Sequence, residues 1–569
     1  MEAPLPPRYG LDQLNIGVSA ESGATWHVER KGPNTKVEVG AAICDAPHIS
    51  HLQVSVPANE AVSNLKYFPF ILVTIDKLPN DILLEVFDQY RLLSAGDWPH
   101  LQGWYKLAHT SQRWRQLVLT SSLRLNLQLR CTFRTPVVDM IDHFPPYPLI
   151  LDYGPRNLKT WTTEDQHNLL FALQHLLRAK EIMLSASQSI LAEMTVAMIE
   201  AAPRLEHLTL HSQSAEIVLP RNFLNGDAPQ LRHLILIGVP LATLGPLLSS
   251  TTSLISLVLE RIPSPAYFSP TSLVAHVRSM PHLQKLSIGF LSTIPRPGFR
   301  GEPFLPRGPM TRVTLPALTQ LVYRGVSAYI EALLARVETP LIQDVNITLF
   351  NQLTLRIPHI YSFLRDIETF RPARARIDFA ETSAHLIVSG QQASGFLDIS
   401  LAVSCPRLDF QVSAMVQICS SLSGTSVGAD ADTAALLLPV DELTLEFYES
   451  SLPGVGRDEV DPALWRALLT PFRQARTLRL HVALAPVFER VLFPDRTQVA
   501  VDVDVDVDGP ALVAEEREQE LILPELHTVA LLNIDEFLLI NTWMKLHTFF
   551  EARDRALRPV TVIPALLSS

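Results

Sequence analysis

The stretch PRLEHLTL, residues 203–210, contains an L-x-x-L-x-L unit that begins at Leu205. Near copies are PQLRHLIL (229–236), TSLISLVL (252–259), PHLQKLSI (281–288) and PALTQLVY (316–323). Their leading leucines, Leu205, Leu231, Leu254, Leu283 and Leu318, lie 26, 23, 29 and 35 residues apart. A repeat at this spacing predicts stacked supersecondary units, because one unit cannot cover its own apolar face.

Each copy predicts a β-strand whose alternate leucines face inward, and the segments between copies, LATLGPLLSS (241–250) and SLVAHVRSM (272–280), predict helical returns. The spacing is that of leucine-rich repeats lengthened by insertions. Later copies are PVDELTLEF (439–447), ARTLRLHV (475–482) and LPELHTVAL (523–531). The sequence therefore predicts an α/β fold in which residues 126–569 form an elongated, irregular leucine-rich-repeat solenoid, with a curved β-sheet and helical returns.

Two parts of this solenoid are expected to depart from the repeat. The segments RARIDFA (374–380), AHLIVSG (384–390) and GFLDISLAVSC (395–405) are β-like without helical stretches between them, which indicates irregular strands of the same sheet. The edge strands need caps, which CTFRTPVVDMIDHFPPYPLILDY (131–153) and RPVTVI (558–563) are expected to provide.

A helical pattern precedes the repeats in LPNDILLEVFDQYRLL, residues 78–93. Pro79 suits a first helical position. One stripe then carries Ile82, Leu83, Val86, Phe87, Tyr90 and Leu93. A second helix with Trp104, Leu107 and Ala108 and a third from Ser111 with Trp114, Leu117 and Val118 are expected to follow. Residues 74–125 are therefore predicted to form a trihelical domain, and residues 1–73 a weakly ordered or loosely packed extension.

Three short helices enclose too little interior to be stable alone. The apolar stripe on the first helix is wide for its length, so we expect part of it to dock on another molecule. Trp104 and Trp114 can each serve both as core and as partner contact, because a tryptophan in so small a unit packs inward on one edge only.

These segments resemble a known family. LPNDILLEVFDQY (78–90), WYKLAHTSQRWRQLV (104–118) and SSLRLNLQLRCTFRTPV (121–137) look like the F-box and exit strand of the F-box proteins with degenerate leucine-rich repeats found in mushroom-forming (basidiomycete) fungi. The leading Leu-Pro and the Arg-Trp-Arg at 113–115 are the most characteristic points. SCPRLDFQVSAMVQIC (404–419) and DPALWRALLTPFRQARTLRL (461–480) resemble the distal repeats of those proteins, so the resemblance covers residues 74–569.

The resemblance implies a substrate-recognition subunit of an SCF-type ubiquitin ligase. The helices would bind the SCF adaptor subunit and, through it, the cullin scaffold, while the repeats would bind an unknown protein target. Such a chain acts by proximity and needs no catalytic residue and no cofactor of its own. The expected adaptor-binding residues are Leu78, Pro79, Ile82, Leu83, Val86, Phe87, Trp104, Leu107 and Trp114. The expected target-binding residues, at non-leucine positions of the repeat strands, are Glu206, Thr209, Arg232, Ser256 and Gln284.

The leading alternative is a non-catalytic leucine-rich-repeat scaffold or regulator in which the trihelical segment is only a cap. Exposure discriminates between the two: burial of Ile82, Val86 and Phe87 against the repeats would remove the adaptor surface. A hydrolase is a third class, which needs a histidine, an acid and a nucleophile converging in a pocket. The order of residues proposes no such trio, and no GxSxG, HExxH or phosphate-binding Gly-Lys loop appears, so enzymatic activity is not expected.

Composition excludes further classes of partner. The net charge is −11 and lysines and arginines are scattered singly, so nucleic acid is not expected. Cys44, Cys131, Cys405 and Cys419 lie far apart, which signals neither a zinc site nor a disulfide framework and favours a reducing compartment. Cys405 and Cys419 are expected to be buried thiols that act as small apolar residues. The sequence carries no secretory signal and no long uncharged apolar run, so we expect no membrane partner and a cytoplasmic or nuclear location.

An acidic insertion is expected near residues 499–520. There Asp504, Asp506, Asp508, Gly509 and Glu515 formally match a calcium-binding EF-hand loop. The preceding TQVAVDVDVDV (497–507) alternates with a period of two, however, which disfavours the entering helix that such a loop needs. The Asp502–Asp508 stretch is therefore predicted to be a solvated insertion between repeats, and no metal site is expected.

Overall fold

A computed structural model gives the fold of most of the chain. It describes residues 75–94, 103–133, 135–154, 161–213, 217, 219–239, 244–263, 267–291, 312–367, 370–392, 395–423, 435–448, 460–492, 522–532, 547, 550–551, 553–554 and 559–564. The predictions for residues 1–73 and for the acidic insertion at 499–520 lie outside these ranges. The chain divides into two compact units, residues 1–85 and residues 86–569. In the first unit the described residues form a short 3-10 helix, Ile75–Lys77, and the beginning of the first α-helix.

The α-helices of the described residues fall into two groups. Three lie near the N-terminal side of the described chain: α1 Asn80–Ser94, α2 Gly103–Thr110 and α3 Gln112–Thr120. The others alternate with strands: α4 Val137–His143, α5 Thr163–Leu173, α6 Gln188–Ala197, α7 Gly245–Ser250, α8 Pro270–Val277, α9 Ser327–Leu334, α10 Pro358–Arg365, α11 Leu408–Leu422, α12 Pro462–Leu469 and α13 Ala485–Leu492.

The strands of the second unit are mostly short. They are β1 Leu129–Cys131, β2 Leu149–Tyr153, β3 Ala179–Ala186, β4 His207–Ser212, β5 His233–Ile237, β6 Ser256–Ile262, β7 Lys285–Phe290, β8 Val313–Thr314, β9 Gln320–Gly325, β10 Val337–Glu338, β11 Asp344–Phe350, β12 Arg371–Phe379, β13 Ser383–Gln392, β14 Gly395–Ser404, β15 Glu442–Phe447, β16 Thr477–His481, β17 Thr528–Leu532 and β18 Thr561–Pro564.

Sixteen of these strands form one open, mostly parallel sheet. Its order is β1-β2-β3-β4-β5-β6-β7-β9-β11-β14-β13-β12-β15-β16-β17-β18, and β8 pairs with β10 separately. Consecutive helices from α7 to α13 contact one another, so a helical layer accompanies the sheet. The second unit is thus a mixed α/β structure, as the sequence predicts. No helix within the described ranges is both long enough and apolar enough to span a membrane.

The L-x-x-L-x-L copies are confirmed as neighbouring strands. Their second leucines form one in-register column: Leu208, Leu234, Leu257, Leu286 and Leu321. The whole column is at most 2% exposed. Helices α7 and α8 occupy the two segments that predict helical returns. The repeated leucines therefore build a continuous apolar core on one side of the parallel strands.

The irregular middle lies in the same sheet, as predicted, but its strand order is reversed. The strands β12, β13 and β14 form an antiparallel meander, because the chain between them is too short for a parallel crossover. β14 pairs in parallel with β11, and β12 pairs in parallel with β15. The meander therefore preserves the common strand direction on both of its sides.

The two expected caps are strands of the sheet. Segment 131–153 supplies the end of β1, helix α4 and strand β2, and segment 558–563 supplies most of β18. The sheet order ends at β1 and β18, which are three and four residues long. Short edge strands limit edge-to-edge pairing with other chains. The ends of the sheet are therefore protected by the shortness of β1 and β18, and not by separate covering segments as expected.

The three predicted N-terminal helices are confirmed as elements. Pro79 directly precedes α1, and its carbonyl accepts a hydrogen bond from the Leu83 N–H at 3.0 Å. Ser111 caps α3, as predicted, since its hydroxyl accepts a hydrogen bond from the Trp114 N–H at 3.2 Å. The buried residues of α3 are Trp114, Leu117 and Val118, the same three that the helical spacing indicates.

A buried carboxylate joins two helices of the helical layer. The backbone N–H groups of His359 and Ile360, at the start of α10, donate to Glu331 Oε2 and Oε1 of α9 at 2.7 and 2.8 Å. Burial raises the pKa of Glu331 to about 7, and the two N–H donors oppose that rise. Near neutral pH Glu331 is therefore divided between its protonated and its ionised form, despite the two hydrogen bonds that favour the ionised one.

We expect Glu331 to make stability pH-dependent. Its folded pKa of about 7 lies above its usual 4.5, so the contribution of the protonated carboxyl is complete below pH 4.5 and is lost as pH rises through 7. The stability of the natural chain minus that of Glu331→Gln should therefore fall over this range, as measured by urea unfolding at several pH values. A difference that stays constant or grows with pH would contradict this account.

Candidate protein-docking surfaces

Helix α1 has a buried side and an exposed apolar side. Leu83 and Phe87 are fully buried. Ile82 and Val86 are 47% and 40% exposed, and Pro79 is exposed as well. Residues three or four apart lie on one face of a helix, so Pro79, Ile82 and Val86 form a strip, which we call the α1 ridge. Exposed acidic residues, Asp81 and Glu85, lie beside it in the sequence.

The nine expected adaptor-binding residues divide into two sets. Leu78, Pro79, Ile82 and Val86 are at least partly exposed, and an incoming partner can reach them. The other five, Leu83, Phe87, Trp104, Leu107 and Trp114, are buried. Phe87 packs on Trp114 of α3, with ring centroids 4.8 Å apart. These five side chains therefore serve the core of the folded chain, and the α1 ridge with Leu78 is the part available for docking.

Trp104 ties α2 to the beginning of the sheet. Its indole Nε1 donates to the backbone carbonyl of Gln128 at 3.2 Å. Its ring lies edge-on to Phe144 and Tyr147, with centroids 5.6 and 6.2 Å apart. Edge-to-face aromatic pairs add about 0.5–1.5 kcal/mol each beyond their buried area. The second helix is therefore fixed to residues 128–147 through a tryptophan that the sequence also allowed as a partner contact.

The sheet has a second candidate surface on the face opposite the leucine core. On β4, Leu208 and Leu210 are buried, whereas His207, Thr209 and His211 are partly exposed. Thr209 and Ser256 lie within their strands, although Ser256 is largely covered. The exposure along β4 follows the period of two expected of a strand with one open face, whereas the first four residues of β6 are all buried.

The other three expected target-binding residues lie one residue before their strands. Glu206, Arg232 and Gln284 precede β4, β5 and β7. The Arg232 N–H donates to the Glu206 carbonyl at 2.8 Å, so the two are neighbours in the ladder. Gln284 and Arg232 are linked in the same way through Ile255. The structure thus brings these three together along the edge where the strands begin.

A stacked histidine pair lies on the same face and was not expected to interact. The rings of His207 and His233 are 4.3 Å apart and nearly parallel, at 14°. Burial lowers the pKa of His233, and the charges of His207 and Arg232 lower it further, so its neutral form is favoured. The signal was in the sequence: L-E-H-L and L-R-H-L place histidine at the same position of adjacent copies, and in-register pairing then stacks the rings.

The distal part of the sheet carries a network of paired charges. Arg376 of β12 contacts Asp378 at 2.7 Å and Glu446 of β15 at 2.9 Å. Arg479 of β16 contacts Glu442 at 2.5 Å. In RARIDF and ELTLEF the charged residues alternate with apolar ones, which places them on the open face of neighbouring strands. The sequence predicts the first of these segments as an irregular strand and the second as a repeat copy, and neither prediction includes the charge pairing.

A serine, a histidine and an acid do meet in the irregular middle. Ser383 Oγ lies 2.9 Å from His385 Nε2, and Asp378 is the cross-strand partner of His385. A catalytic triad also needs a hydrogen bond that the histidine N–H donates to the acid's carboxylate, which orients the imidazole as a base. In the described chain the Asp378 carboxylate is hydrogen-bonded by Arg376. We therefore assign these residues to the paired-charge network.

The described thiols are buried. Cys131, Cys405 and Cys419 are free and enclosed, as predicted for the last two, whereas Cys44 lies outside the described residues. Burial raises the pKa of Cys131 and of Cys419 to about 12, which keeps both protonated. Within the described ranges no three histidine, cysteine or acidic side chains are grouped so as to hold a metal ion.

Comparison with known proteins adds no relative. No protein-family model matches the chain, and no curated protein matches its sequence significantly. The functional argument therefore depends on the two surfaces described above.

Adjacent residues of α1 should differ sharply in their effect on stability. Phe87→Ala removes a fully buried ring that packs on Trp114, and we expect it to lower the free energy of unfolding by about 3–5 kcal/mol. Val86→Ala trims an exposed side chain and should change it by about 0.5 kcal/mol or less. Urea unfolding measures both. Equal effects would mean that the two sides of α1 are not distinguished by burial.

Proposed function

We propose that the chain is a substrate-recognition subunit of an SCF-type ubiquitin ligase. In this proposal the α1 ridge binds the SCF adaptor subunit, which connects the chain to the cullin scaffold, and the open face of the sheet binds a protein target. The observation that carries it is the exposure of Ile82 and Val86 on a helix whose neighbouring residues, Leu83 and Phe87, are fully buried.

The α1 ridge has the geometry of a helix that docks into a groove. Such helices present apolar anchors at spacings of three, four and seven residues, and Pro79, Ile82 and Val86 have these spacings. Exposed apolar side chains at this spacing lose unfavourable contact with water when a partner covers them. The exposed acids Asp81 and Glu85 favour a partner whose groove has a polar or basic rim.

The sheet supports the second half of the proposal. Copies of one strand-helix unit, stacked in register, are what a leucine-rich-repeat solenoid requires, and we propose that architecture for the second unit. Its open face displays a different set of side chains on each strand, which suits recognition of a protein surface. The chain then needs only to hold the target, since proximity to the conjugating enzyme raises the effective concentration of the target's lysines.

A second candidate function is supported by Trp104. Because this residue fixes α2 to residues 128–147, the helical segment also has the packing of a terminal cap. A repeat scaffold or regulator with such a cap would bind partners without delivering ubiquitin. It would have no use for an exposed apolar ridge on α1, and this difference separates the two functions experimentally.

Capture by the purified adaptor subunit tests the proposal. We expect the natural chain to be retained, and the double variant Ile82→Glu with Val86→Glu to bind at least roughly tenfold more weakly, because two apolar anchors become charged. Leu78→Ala with Pro79→Ala should also weaken binding. The matched control is Val196→Glu, an exposed apolar residue of α6 that should leave capture unchanged.

Two results would overturn the assignment. Undiminished capture of both double variants would remove α1 as the docking element. Failure of the natural chain to bind the adaptor at all would favour the capped scaffold. Circular dichroism of each variant separates lost docking from lost folding, since all four substituted positions are at least partly exposed.

A further inference from the structure

The open face of the sheet differs in charge between its two ends. Distally, Arg374, Arg376 and Arg479 all contact acidic side chains of the same face. Proximally, Arg232 and Lys285 contact no carboxylate among the described residues. The proximal acid nearest in the ladder, Glu206, instead pairs with Lys180 at 3.8 Å. These three distal arginines are thus paired within the chain, whereas Arg232 and Lys285 are available to a ligand.

Their positions are set by strand register. His233, Ser256 and Lys285 are successive register partners on β5, β6 and β7. Adjacent strands are about 4.8 Å apart, so the backbones of Arg232 and Lys285, which lie two strands apart, are separated by roughly 10 Å. Arg232 directly precedes His233, and its charge is close enough to lower the pKa of that imidazole. The Arg232 carbonyl accepts a hydrogen bond from the Ser256 N–H at 3.0 Å, so Arg232 lies beside Ser256 at the edge where the strands begin, and Lys285 is the register partner of Ser256 on its other side. We call Arg232, Ser256 and Lys285 the cationic row.

The surroundings of the cationic row favour an extended acidic ligand. Ser256 between the two cations has a small, largely covered side chain, and Ile235 of the next outward row is partly exposed and supplies apolar contact beside them. A segment in the extended polyproline II conformation advances about 3.1 Å per residue with three residues per turn, so two acidic side chains three positions apart lie on one side and match the roughly 10 Å between the two backbone positions. Because the chain has a net charge of −11, most of its surface repels an acidic segment, and this repulsion favours binding at the cationic row.

We propose that the cationic row binds an acidic segment of the target protein, with Arg232 and Lys285 each contacting one anionic side chain, three residues apart in the target. This inference rests on the proposed function, in which the open face of the sheet binds the target protein. The anionic groups are carboxylates or phosphates, which the same two cations can bind. Guanidinium geometry favours a bidentate contact at Arg232, and the ammonium of Lys285 acts as a point charge.

Fluorescence anisotropy of labelled peptides added to the full chain tests the inference. The probes are a short Gly/Ser peptide with two glutamates three positions apart, the same peptide with phosphoserines, and the same peptide with lysines. A short single-stranded DNA tests the other class of polyanion. The variants are Arg232→Gln with Lys285→Gln, and, as matched control, Arg278→Gln, an exposed arginine at the end of α8.

We expect the glutamate or phosphoserine peptide, or both, to bind, and the lysine peptide not to bind. The double variant should weaken binding roughly tenfold or more, and the control less than about twofold. Binding should also weaken as salt rises, because the contacts are partly exposed ion pairs. Comparison of the two acidic peptides identifies carboxylate or phosphate as the group recognised.

Several outcomes would overturn the inference: no binding of either acidic peptide, binding that the double variant does not alter, or tight binding of the DNA alone. Capture by the adaptor subunit is measured in a separate experiment with the α1 variants. Lost peptide binding with intact capture refutes the acidic target segment and leaves the receptor function standing. Intact peptide binding with no capture refutes the receptor and leaves the cationic row as an acid-binding surface of a scaffold.

Discussion

Register between parallel strands is the constraint on which the second unit depends. Each strand accepts and donates backbone hydrogen bonds to a neighbour with equivalent residues side by side, so one leucine position becomes a buried column that runs from β4 to β9. A slip of one residue would turn every leucine of a strand toward the open face and every histidine or lysine toward the core. The same register that builds the core therefore also arranges the polar rows from which both binding proposals are argued.

Much of this arrangement was predictable from the sequence, for a physical reason. The L-x-x-L-x-L copies and the helical stripe at 78–93 have strong periods, and periodicity reports which face is buried. The order of strands in the middle was not predictable, because period-two patterns show that strands exist but not which neighbour each one selects. The reversal of β12 to β14 follows from short connections whose geometry appears only when the strands are paired.

The exposure of surface residues was less predictable than the burial of the leucine core. The spacing placed Ile82 and Phe87 on one apolar stripe of α1, yet one is half exposed and the other fully buried, because a stripe wider than its core has a covered part and an uncovered part. The sequence predicts Trp104 as both a core residue and a partner contact. Its ring contacts with Phe144 and Tyr147 show that it is a core residue. The stacking of His207 on His233 needed only the register of two adjacent copies, which the sequence contained.

The reversed meander has a consequence for how the chain is synthesised and folded. Up to β11, each emerging strand of the described sheet finds its neighbour already made, so the ladder can lengthen as the ribosome releases it. When β12 emerges, neither of its neighbours in the sheet, β13 and β15, has been synthesised, and the position beside β11 is filled later by β14. Everything from residue 371 onward must then wait for β14 to reach β11. A nascent chain stalled before residue 404 would therefore leave the edge of β11 without its partner β14.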